Sequence, residues 1–224
     1  MQNGSHVSLS KNVQSSTCTF CQLDDIATTN ILKETPHFLV VADHAPVVEG
    51  HILIIPKEHY ACYGKVPAEL DTELLTLKRK MQQFFTEHYA PVVFWEHGVF
   101  RQTVFHAHLH CFPFEISGYN LAENIHSQVV HSQDDIRAWF ADYGHYFYME
   151  DADVALLFEP EMERYTHVIQ RVLWQKVVAR RACKGWLSAE QRYEQGFPLI
   201  EATRAKWRRF EQKGVIHANK AGTR

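Results

Sequence analysis

The run TVFHAHLHCFPF at residues 103–114 constrains the fold more than any other stretch. It sets His106, His108 and His110 at alternate positions, with Phe105, Ala107, Leu109 and Cys111 between and beside them. A period of two is the signature of a β-strand with unlike faces. One face would carry three imidazoles about 7 Å apart, and the other would fill a core. Imidazoles pack poorly, but near neutral pH each can take up a proton, give one, ligate a metal or attack an electrophile. On the triplet alone, a His₃ zinc chelate is the structural alternative, whereas titratable clusters more often mark a reaction site.

The elements around this strand imply an α+β fold. Residues 31–34 and 37–42 (HFLVVA) read as short strands joined by a turn at Thr35-Pro36, and residues 52–56 (ILIIP) as an apolar strand ended by proline. Residues 67–88 read as a helix: an early proline, then Glu69, Asp71 and Glu73 in the first turns. Leu70, Leu74, Leu77, Met81, Phe84 and Phe85 form its apolar stripe. Residues 91–96 (PVVFWE) give the strand that pairs with the histidine strand across a short loop. Strands, helix, then strands predict a mostly antiparallel sheet of about five strands with one long helix. Beyond Pro113, residues 133–142, 164–181 and 201–213 read as helices, and residues 145–150 and 154–158 as a hairpin around Asp151-Ala152-Asp153. The expected organisation is an N-terminal arm over 1–16, a core over 17–114, and a largely helical extension over 115–224 packed on that core.

Composition narrows the classes. Hydrophobic residues make up 46% of the 224 and charged residues 22%, enough for a core without staples. The N-terminus lacks the apolar segment of a secretory signal, and no apolar run reaches membrane-spanning length. Five cysteines without a dense framework suit a reducing compartment, so a cytoplasmic location is expected. A formal charge of −3 gives no global field for an extended nucleic acid. A nucleotide would have to be captured locally.

The chemistry-bearing residues suggest how. Cys18 and Cys21, in CTFC, supply the short half of a zinc site, with the other ligands to come from among His44, His51, His59, His97 and the triplet. No serine or cysteine sits in a nucleophile elbow, but a central histidine flanked by two others can itself attack phosphorus and form a labile phosphoramidate. Gln102, Thr103 and nearby amides are placed to hold phosphate oxygens, and Asp43, in its turn, to accept from a ribose diol.

Five separated motifs now agree in order and spacing: CTFC, VVADHAP, GHILIIPKEH, EHG and QTVFHAHLH. Over roughly residues 18–114 the chain resembles the histidine-triad (HIT) superfamily, and its EHG loop and long C-terminal extension resemble bacterial, zinc-containing members. The resemblance implies a HIT-like fold with His108 as nucleophile toward a nucleoside monophosphoryl group. His110 would support the nucleophile and the phosphate, and His51 would join a proton relay. It implies Asp43 on the ribose, Gln102 and Thr103 on phosphate and leaving group, and a structural zinc on Cys18, Cys21, His59 and His106. Homodimers are usual in the phosphoramidase-like branch. Transferases of the superfamily resemble H-x-H-x-Gln, so His110 favours a hydrolase.

Two positions depart from the pattern. Glu96 stands where an asparagine is frequent, and it must point away from phosphate or be met by a cation. Arg101 replaces a glycine; a Gln170-Arg171 pair in the extension is a further candidate, with helix surface the default. The expected activity is release of a nucleoside 5′-monophosphate, AMP above all, from a dinucleoside polyphosphate or a phosphoramidate. The competing readings are a nucleotide-binding regulatory or scaffold protein with little catalysis, and an enzyme that removes adenylate from DNA ends, which the charge balance disfavours.

Overall fold

The computed structural model describes residues 18–22, 28–100, 102–113, 127–152, 154–159 and 189–221. Arg101, Gln170, Arg171, the N-terminal arm and the helix expected over 164–181 lie outside the described residues.

One antiparallel sheet runs through the molecule. Its strands are β1 (Ile31–Glu34), β2 (Phe38–Ala42), β3 (Ile52–Pro56), β4 (Val92–Glu96), β5 (Leu109–Pro113), β6 (Ser127–Val129), β7 (Phe147–Glu150) and β8 (Ala155–Phe158). The spatial order is β1-β2-β3-β5-β4-β7-β8-β6. Among the described residues the α-helices are α1 (Asp71–His88), α2 (Gln133–Tyr143) and α3 (Ala189–Ala221). The α+β class and the antiparallel sheet agree with expectation, but the sheet has eight strands rather than about five. The difference has a physical cause: β4 would otherwise present an open edge, and β7 covers it through the register Phe94↔Glu150, Trp95↔Met149, Glu96↔Tyr148. The hairpin then continues to β8 and β6, so the residues after 115 contribute strands as well as helices.

Alternation decides what each face touches. Phe38, Val40, Ile52, Ile54, Phe94, Leu109 and Cys111 point to α1, whose Leu74, Leu77, Met81, Phe84 and Phe85 close over them. The opposite face holds two apolar clusters, one of Leu39, Val41, Leu53 and Ile55, the other of Val93, Trp95, Phe112, Phe147 and Met149 with the β8 side chains. His110 lies opposite Leu53 on β3 and opposite Trp95 on β4, at the seam between these clusters.

The histidine strand is shorter than its alternation suggests. Pairing begins at Leu109, and residues 103–106 are bent. The Ala107 N–H donates to the Tyr60 carbonyl (2.6 Å) and the His106 N–H to the Val104 carbonyl (2.8 Å), so this backbone is committed elsewhere.

Glu96 points away from the histidine face. It is buried, accepting hydrogen bonds from the Tyr63 N–H at 2.8 Å and from the Tyr146 hydroxyl. Burial pushes its carboxyl up to about 7, against the pull of those two donors. A carboxyl raised this way contributes stability that is fully present below the unfolded value near 4.5 and is lost as pH rises through about 7. Urea unfolding at pH 5.5 should therefore give the wild type about 2 kcal/mol more stability from this group than at pH 8. Glu96→Gln should remove most of that difference. Equal pH dependence in the two proteins would contradict the buried protonated carboxyl.

Candidate active site and metal centre

The chain brings two clusters together beside the start of β5. In the first, Cys18 Sγ lies 3.4 Å from His106 Nδ1, and Cys21 Sγ lies 3.5 Å from His106 Nδ1 and 3.3 Å from His59 Nδ1. All four donor atoms fall within 4.8 Å of one another. A tetrahedral Zn²⁺ with ordinary bond lengths separates its sulfur and nitrogen ligands by about 3.6 Å, so the donor set and its spacing fit that ion. Outer-shell contacts suit the role as well. The His106 Nε2–H donates to the Pro56 carbonyl at 2.7 Å, which leaves Nδ1 as the ligating nitrogen. Burial, opposed by that hydrogen bond, lowers His106 to about 4, so the ring is neutral. The Cys21 thiol is pushed up to about 11 by burial and by Cys18 beside it. Of the other zinc candidates, His44, His51 and His97 lie elsewhere.

The second cluster is built on β3 and β5. His108 Nδ1 lies 2.6 Å from the His106 carbonyl, which can only accept, so the His108 proton resides on Nδ1 and Nε2 keeps its lone pair. Burial lowers the basicity of His108, with opposing pulls from that carbonyl and from Asp43. The neighbouring His110 ring, with centroids 4.9 Å apart, is driven well below its ordinary value by burial, then by His108, His51 and His97. Both imidazoles are therefore neutral near pH 7.

His51 connects them to a carboxylate. The Val47 N–H points at His51 Nδ1 (3.4 Å), so the His51 proton is on Nε2, which donates to His110 Nδ1 at 2.9 Å. Asp43 Oδ2 lies 3.3 Å from the same Nε2, and Oδ1 accepts from the Ala45 N–H at 2.6 Å. Phe112 stacks on His51 with centroids 4.3 Å apart and fixes its plane. Asp43, His51 and His110 thus share one proton, the His51 Nε2–H, which faces His110 Nδ1 and Asp43 Oδ2 together, and a second proton is on His110 Nε2. Their donor atoms also lie within 4.8 Å of one another, but the Val47 amide at Nδ1 favours a proton on His51 Nε2 over a metal there.

The polar pair divides. Gln102 is buried with neither amide atom hydrogen-bonded by the described residues, an arrangement that a bound polar ligand would satisfy, while Thr103 faces solvent. Two neighbours of the histidines were not singled out as site residues by sequence reasoning. Phe20, between the two cysteines, meets the edges of His106 and His108 at 5.8 and 5.3 Å. His97, weighed only as a zinc ligand, lies 5.8 Å from His110 with its Nδ1 on the Phe100 carbonyl at 3.1 Å. Nothing local in the sequence marks Phe20; the EHG loop does mark His97.

A family model described as HIT domain matches residues 26–115. The adenosine 5′-monophosphoramidase hnt1 of Schizosaccharomyces pombe is 31% identical over 123 residues, which is 54% of this chain and 91% of that protein. The chain belongs to the HIT family. An uncharacterized HIT-like protein of Mycoplasma genitalium, MG132, is 30% identical over 122 residues, 52% of this chain and 86% of its own. Among solved structures, a Zn-bound histidine triad family protein from Mycobacterium smegmatis is 26% identical, with a TM-score of 0.40 over 58% of this chain and 97% of that one. The HIT-domain match therefore ends well before α3, and no described helix is long and apolar enough to cross a membrane.

The turn that presents His97 is tight. Gly98 and Val99 both have positive φ, 52° and 69°, and a Cβ on Gly98 would lie 2.5 Å from the Tyr146 carbonyl oxygen. Gly98→Ala should destabilise the protein by about 2–3 kcal/mol in urea unfolding. An unchanged midpoint would contradict the close approach.

Proposed function

We propose that this HIT protein is a nucleotide hydrolase that releases a nucleoside 5′-monophosphate, with AMP favoured, from a phosphoramidate or a dinucleoside polyphosphate. The observation that carries the reading is the His108 Nδ1–H bond to the His106 carbonyl, which presents Nε2 as an unprotonated nucleophile. Similarity to an adenosine 5′-monophosphoramidase supports the substrate class.

In the first step His108 Nε2 attacks the α-phosphorus, and the bond from phosphorus to the leaving nitrogen or oxygen breaks in line. The departing atom keeps the electron pair and takes the proton from His110 Nε2, and the His51 Nε2–H bond and the cationic phosphohistidine on His108 offset the charge left on His110. Water then attacks the phosphohistidine; the P–Nε2 bond breaks, and a water proton returns to His110 Nε2. Much of the barrier is met by positioning and by fixed donors around the phosphate. Gln102 and Thr103 hold phosphate oxygens, and the remaining lone pairs of Asp43 accept from the ribose hydroxyls. Cys18, Cys21, His59 and His106 hold a structural Zn²⁺, which supplies a cross-link between the N-terminal knuckle and the strand ends and takes no part in group transfer. Residues 17–114 carry the chemistry, and α2 and α3 of the C-terminal extension pack on them.

Purified wild type and His108→Ala should be compared on adenosine phosphoramidate and on a dinucleoside tetraphosphate, with zinc measured in the same samples. The wild type should release AMP, and the variant should lose at least about 10³-fold in kcat with zinc retained. Absence of turnover by the wild type would sink the hydrolase reading and leave a nucleotide-binding protein. Equal activity in both would remove His108 as nucleophile.

A further inference from the structure

Helix α3 reaches back from the end of the chain onto residues 43–51, the segment that carries both Asp43 and His51. His44 stacks flat on Tyr193, with centroids 4.1 Å apart and planes 11° from parallel. Gly196 passes so close to Pro46 that a Cβ there would lie 2.6 Å from the proline Cδ. Lys206 Nζ pairs with Glu49 at 2.8 Å and sits 4.0 Å above the centre of the Tyr89 ring. Between these contacts, the Gly50 N–H donates to Thr203 Oγ1 at 2.9 Å in a buried setting. The Thr203 hydroxyl donates to the Leu199 carbonyl at 2.8 Å and also meets the Tyr89 hydroxyl, so it joins the helix to Gly50 and to the end of α1. Tyr193, Gly196, Thr203 and Lys206 fall on one side of the helix.

Gly50 is the residue before His51 and has a φ of 84°, which suits glycine alone. Among the described residues the loop has two backbone–backbone bonds of its own, the Asp43 N–H to the His51 carbonyl at 3.0 Å and the His51 N–H to the Val48 carbonyl at 3.3 Å, besides the Ala45 and Val47 amides that donate to the Asp43 and His51 side chains. His51 must nonetheless keep its Nε2 within 2.9 Å of His110. A side chain 153 positions away, outside the matched HIT region, supplies a buried anchor next to it.

We infer that α3 is a brace for residues 43–51, and that Thr203 is a positioning residue that acts through Gly50 to hold His51 against His110. The inference rests on the relay reading given above. It makes the C-terminal helix part of the reactive geometry, where a helix that only covered the core would leave the relay unaffected.

The test compares full-length wild type, Thr203→Val and Thr203→Ser. Valine keeps the shape and removes the acceptor; serine restores it. Hydrolysis of adenosine phosphoramidate is measured alongside the ring ¹⁵N signals of His51 and His110, assigned with a His51→Asn variant. Thr203→Val should lower kcat about tenfold with KM within about twofold, and should shift the His51 and His110 signals. Thr203→Ser should return both readouts to near wild type. Wild-type kcat and unmoved ring signals in Thr203→Val, with only the melting temperature lowered, would overturn the inference, as would a serine variant as impaired as valine. If the wild type turns over no substrate, the hydrolase reading fails and the ring signals alone decide the brace. If Thr203→Val does not fold, Tyr193→Ala combined with Lys206→Ala takes its place. The same kcat loss and signal shift are then expected, and wild-type values would overturn the inference.

Discussion

The His106 imidazole is the joint on which the site depends. Its Nε2 donates to the end of β3 at Pro56, and its Nδ1 meets Cys18 and Cys21 from the N-terminal knuckle. Its own carbonyl fixes the tautomer of His108. One residue thus ties three segments together, and its backbone sets which nitrogen of the next histidine can act as a nucleophile. A ring so engaged has neither nitrogen left for acid–base work, whereas His108 keeps Nε2 unprotonated. Burial then keeps His108 and His110 neutral, the protonation state that nucleophilic attack needs.

The sheet face and the charge pattern serve the same end. Trp95 and Glu96 are neighbours on β4, and alternation sends Trp95 toward His110 and Glu96 into the α1 side. The carboxylate that would repel a phosphate is thereby removed from the pocket by the pleat, with Tyr63 and Tyr146 as its partners. No compensating cation is required.

Much of this could be read from local patterns, and the failures have identifiable causes. ILIIP, the α1 stripe and PVVFWE follow directly from burial and period, and the structure keeps all three. The β7–β8 hairpin is also legible, but which sheet edge it joins is a tertiary choice, so the strand count came out low. The strand β6 is three residues long and has no pattern of its own. Residues 103–108 alternate like a strand, yet Tyr60 and Pro56 claim their hydrogen bonds, and periodicity cannot register such long-range competitors. In the site, CTFC and the triplet announce donors, whereas the choice of His59 over His44 or His97 came through family resemblance. The bond from Gly50 to Thr203 spans the chain and leaves no local trace.

The central claim is that His108 Nε2 carries the transferred nucleotide. Its most direct measurement is to mix wild type with adenosine phosphoramidate, quench rapidly at alkaline pH, where phosphohistidine survives, and map the adenylylated peptide by mass spectrometry. The geometry predicts an AMP adduct confined to His108, formed and lost at the rate of turnover. An adduct on His110 or His51, or rapid turnover with no adduct on the chain, would contradict it.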